Sequence, residues 1–88
     1  MPAFIVAYDL DQPGQNYTCI IERLNTLPHC HAQESVWFVL FEGTAPDLRA
    51  YLAACLDSND KLFVDQVSNG WAGWGMPVCG NWLNNLGL

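Results

Sequence analysis

The chain has 88 residues, 51% hydrophobic and 12% aromatic, which describes one small domain too apolar to be disordered. Nine acidic residues against Arg23, Arg49 and Lys61 give a net charge of −6, which excludes the basic patch by which proteins neutralise nucleic-acid phosphates. No apolar run approaches the ~20 residues that span a membrane.

Residues 3–9, AFIVAYD, predict a strand, with apolar residues in both alternations. It runs into Asp9 and Asp11 and then a Pro13-Gly14 turn. From Gln15 to Leu27 the apolar positions Tyr17, Ile20, Ile21, Leu24 and Leu27 have helical spacing, with Asn16 as N-cap and Pro28 as the stop. A short strand is expected over 29–34 and a longer one, VWFVLF, over 36–42, broken at Glu34-Ser35; one uninterrupted strand over 30–42 is the alternative. Thr44 caps a second helix with Asp47 three residues on and Pro46 in its first turn. Leu48, Tyr51, Leu52, Cys55 and Leu56 form its apolar stripe, and Asp57–Asp60 a turn. KLFVDQV (61–67) predicts a strand with Phe63, Asp65 and Val67 on one face and Leu62, Val64 and Gln66 on the other. The Gly- and Trp-rich tail, 69–88, holds one helical turn near 81–86.

This order predicts a single α+β domain, 1–88, with the ferredoxin-like β-α-β-β-α-β arrangement. Two helices cover one face of the sheet, yet strands 3–9 and 36–42 are apolar on both. The tail, a second copy of the sheet, or both must shield the other face. Trp37, Trp71, Trp74 and Trp82 are the candidate interface residues.

Cys19, Cys30, Cys55 and Cys79 show no C-x-x-C spacing. The N-terminal stretch shows no basic region followed by a small-residue cleavage site. Reduced, buried thiols and a cytoplasmic location are therefore the expectation.

Three features are candidates for chemistry. Asp9 and Asp11, at the end of a strand, are the candidate catalytic pair. Asp9 can hold Mg²⁺, which takes one or two carboxylates and activates water against a phosphodiester; the plain alternative is two solvated loop acids. His29 and His31 share a strand face and can enter a transition-metal site, with Cys79 as a further ligand; otherwise they are exposed residues of an edge strand. Aromatics in GWAGWGMP can stack bases, or cover the open sheet face.

The first strand ending Tyr8-Asp9-Leu10, within this element order, resembles the small CRISPR-associated Cas-two family and its virulence-associated D relatives. The stretches SVWFVLFEG and DSNDKLFVDQVSNGWAGW are similar to those of bacterial and phage proteins on the same fold. The resemblance implies a homodimer packed sheet to sheet, with Asp9 of each protomer at the family's metal-binding position. It implies either a structural partner in CRISPR adaptation or a metal-dependent nuclease.

The acidity ranks a dimeric interaction or regulatory protein with a basic partner first, in phage–host conflict or toxin regulation. A Mg²⁺-dependent nuclease using Asp9 ranks second, and a metal- or small-ligand-binding module using His29 and His31 third.

Overall fold

A computed structural model describes residues 1–10 and 17–88. Asp11, the Pro13-Gly14 turn and the Asn16 cap lie outside the described residues. The elements are β1 (Ala3–Asp9), α1 (Tyr17–Asn25), β2 (His29–Gln33), β3 (Val36–Leu40), α2 (Ala45–Ala53), β4 (Lys61–Gln66) and α3 (Pro77–Asn85). The strands form one sheet in the order β2-β3-β1-β4, with every neighbouring pair antiparallel.

Two cores result from the alternation along β1 and β3. Phe4, Val6 and Tyr8 alternate to one face of β1, and Trp37 and Val39 to the same face of β3. There they meet Ile20 and Leu24 of α1 and Leu48 and Leu52 of α2, each fully buried. Arg23 joins the two helices: its guanidinium donates to the Tyr51 carbonyl at 2.7 Å and lies 5.0 Å from that ring's centroid.

On the opposite face, Phe38 and Cys30 pack with Cys79 and Leu83 of α3, and Ile5, Trp71 and Trp82 border them. This helix is longer, and begins earlier, than the single turn expected near 81–86. Pro77 starts it, where the absent N–H costs nothing. Cys79 and Leu83, four residues apart, then fall on one side of the helix and into the sheet.

The cysteines correct the expectation of reduced thiols. Cys19 pairs with Cys55 and Cys30 with Cys79, with Cα atoms 5.5 and 5.7 Å apart, both within disulfide range. The first bond ties α1 to the chain just beyond α2, and the second ties β2 to α3. Paired cysteines persist in oxidising surroundings, so the thiol argument for a cytoplasmic location falls. Among the described residues, no helix is long and apolar enough to cross a membrane.

β3 ends at Leu40, short of the expected residue 42. Phe41 instead turns its ring edge-on to Phe4, with centroids 6.3 Å apart. Gly43 follows at φ 151°, and a Cβ there would lie 2.8 Å from the Phe41 ring, so this turn requires glycine.

α2 starts on a reciprocal cap. The Asp47 amide donates to Thr44 Oγ1 at 3.3 Å, and the Thr44 amide donates to Asp47 Oδ2 at 3.1 Å. The backbone N–H and hydroxyl of Thr44 hold the Asp47 carboxyl below its ordinary value. A lowered folded-state value means stability that is complete above the ordinary value of 3.8 and lost as pH falls below it. Thr44→Ala is expected to lower the thermal midpoint at neutral pH by about 4–8 °C. The gap between variant and parent should narrow in acid, as read by circular dichroism melts.

Candidate functional site

Asp9 is the last residue of β1 and is exposed. Its cross-strand neighbour is Lys61 of β4. Asp11, the other member of the candidate pair, lies outside the described residues. Among the described residues, no three His, Cys, Asp or Glu side chains stand close enough to hold a metal ion.

His29 and His31 do share a face of β2, and the register of β3 decides what lies beside them. His31 is the partner of Trp37. Its imidazole stacks on the indole, with centroids 3.9 Å apart and planes 13° from parallel. His29 approaches the same indole at 5.2 Å, tilted by 54°. His29 Nδ1 donates to the Leu27 carbonyl at 2.8 Å and His31 Nε2 to the Glu34 carbonyl at 3.0 Å. A carbonyl only accepts, so each of these ring nitrogens carries a proton and has no lone pair for a metal. The third ligand suggested from sequence, Cys79, is bonded to Cys30 on the opposite face of the sheet. The two imidazoles flank the Trp37 indole, and the second nitrogen of each ring remains an acceptor.

Beneath them Trp37 is buried, and its Nε1–H donates to the Tyr8 hydroxyl at 3.2 Å. Burial raises the Tyr8 phenol above its ordinary value, more than the Trp37 hydrogen bond lowers it. Tyr17 lies beside Tyr8, with centroids 6.1 Å apart. The result is a continuous His–Trp–Tyr cluster, with the imidazoles at the surface and the phenol inside.

The four tryptophans have different surroundings. Trp37 is interior to the helix-side core, while Trp71 and Trp82 border the core under α3. Trp74 is 96% exposed, in the segment leading into α3. Val78, in the first turn of that helix, is 75% exposed. A cleft of about 410 Å³ lies beside this segment, walled by Ile5, Phe38, Trp71 and Met76 with Asp65 at its rim. Trp74 does not line it. The sequence marked Trp74 as an aromatic worth noting, but only the packing separates it from the other three.

The chain was compared with models of known protein families, and none matches.

Proposed function

We propose that this is an acidic, non-catalytic interaction protein that engages a basic protein partner. The observation that carries the reading is Trp74, almost wholly in solvent on a chain of net charge −6. A rigid indole costs much to expose and is a common anchor of binding energy at interfaces. The net acidity of the chain favours a cationic surface on the other side. The antiparallel order β2-β3-β1-β4 supports a ferredoxin-like scaffold of the kind that resembles the Cas-two family. On that resemblance, the setting would be phage–host conflict or toxin regulation.

Trp74→Ala tests the anchor with little risk to folding, because the side chain is nearly free of contacts. Against a basic partner recovered at low salt, the variant should bind about thirtyfold more weakly while its thermal midpoint is unchanged. Retention of the parent protein should fall as salt is raised. Undiminished binding by the variant would refute the anchor. Incubation with labelled RNA and DNA plus Mg²⁺ should give no cleavage. Cleavage that disappears in Asp9→Asn would put the nuclease reading in its place.

A further inference from the structure

β4 ends the sheet and has β1 as its one strand neighbour among the described residues. The phase of its ladder identifies the backbone groups that point away. The Val67 amide donates to the Ala3 carbonyl at 2.8 Å. Directly opposed residues of antiparallel strands alternate between hydrogen-bonded and non-bonded pairs. Asp65 opposite Ile5 and Phe63 opposite Ala7 are in the same phase as Val67 opposite Ala3. Residues 61, 63 and 65 therefore spend their amides and carbonyls on β1, and Leu62, Val64 and Gln66 turn theirs to the open edge. The Gln66 amide is taken by Asp65 Oδ1 at 3.0 Å, which leaves Leu62 and Val64 for pairing. Phe63, between them, is 61% exposed. Grooves of about 270 and 250 Å³ run along either side of it.

We propose that β4 pairs antiparallel with β4 of a second copy of this chain, about a two-fold axis at Phe63. The argument is charge complementarity. Lys61, Phe63 and Asp65 project from the same face and are all exposed. Centred on residue 63, the pairing sets Lys61 against the partner's Asp65, Asp65 against the partner's Lys61, and the two phenylalanines against each other. Leu62 and Val64 meet as hydrogen-bonded pairs, with their side chains continuing the helix-side core across the junction. Moving the centre by one residue either way sets Phe63 against a charged residue instead, so one register is favoured. The two sheets become one, and the most exposed apolar side chain of the strand is covered. The packing differs from the sheet-to-sheet dimer expected from sequence, because α3 occupies much of that face.

The test is made on the full chain by analytical ultracentrifugation and by crosslinking. The protein should sediment as a concentration-dependent dimer. Lys61→Glu or Asp65→Lys alone should weaken the dimer about tenfold or more, and the two together should restore it. Phe63→Cys should form a covalent dimer on oxidation, because non-bonded pairs bring Cα atoms to about 4.5 Å. Lys61→Cys should do so only when mixed with Asp65→Cys. The substituted side chains are exposed in the single chain, so at dilutions where the parent is monomeric the melting curves should match its own. A monomer at all concentrations, or a dimer indifferent to the charge swap and to the crosslink positions, would overturn the proposal. Pairing of β4 with a foreign strand would appear as a monomer that shifts only when that partner is added, and it too would overturn self-association. Trp74→Ala should leave the dimer intact, so failure of partner binding and failure of self-pairing are read separately.

Discussion

Reduction of both disulfides is expected to unfold the protein at physiological temperature. The bonds close segments with sequence separations of 36 and 49 residues. In the chain-entropy account each restricts the unfolded chain by about 4 kcal/mol, although overlapping loops are not additive. A domain of this size has only about 4–13 kcal/mol of net stability. The two bonds also fail differently. Cys19→Ser with Cys55→Ser loosens α1 from the end of α2, where Arg23 and Tyr51 still hold the helices together. Cys30→Ser with Cys79→Ser frees α3 and exposes the apolar face that contains Phe38 and Ile5. The second pair of changes should therefore increase binding of a hydrophobic dye at temperatures where the sheet remains folded. Denaturant titration with and without reductant measures the global effect. Four reactive thiols in the unreduced native protein would contradict the pairing.

Trp37→Ala should cost about 3–5 kcal/mol, the range for deleting a large buried aromatic side chain. Three interactions are lost together: the indole's place among Val6, Val39 and their neighbours, the stack beneath His31, and the hydrogen bond to Tyr8. Graded variants separate them. Trp37→Phe keeps most of the ring packing but removes the donor to a buried phenol, worth about 1–3 kcal/mol. His31→Ala removes the outer stack, about 0.5–1.5 kcal/mol, together with the exposed hydrogen bond to the Glu34 carbonyl. Tyr8 adds a pH signature. Its folded-state value is raised, so its contribution is complete below its ordinary value of 10.0 and lost as pH rises through the folded value. The parent protein should lose stability in alkali, and Tyr8→Phe should lose less over the same range. Equal costs for Trp37→Ala and Trp37→Phe would show that packing in this cluster contributes little.

These expectations bear on function because they separate support from display. The disulfides and the His–Trp–Tyr cluster hold the two layers in place. Trp74 and the open edge of β4 contribute little to that support, and they are the surfaces proposed above for binding.

The four strands and the first two helices were legible in the sequence because each depends on neighbours close in the chain. Thr44 and Asp47 cap α2 through residues three apart. The spacing of Ile20 and Leu24 marked the buried side of α1. Alternation assigned His29 and His31 to one face, and likewise Phe63 and Asp65. The excess of apolar surface on β1 and β3 also required that the second face of the sheet be covered. Tertiary structure decided the rest. Cysteine partners 36 and 49 residues apart carry no local pattern. The register of β2 on β3, set across a hairpin, put Trp37 beside the imidazoles, each of which donates one ring N–H to a backbone carbonyl. A strand's own residues state which side chains share a face, not whether a neighbour covers them. Only the position of β4 at the end of the sheet leaves Phe63 in solvent, and only the docking of α3 separates Trp71 and Trp82, packed on the sheet, from Trp74, which is not.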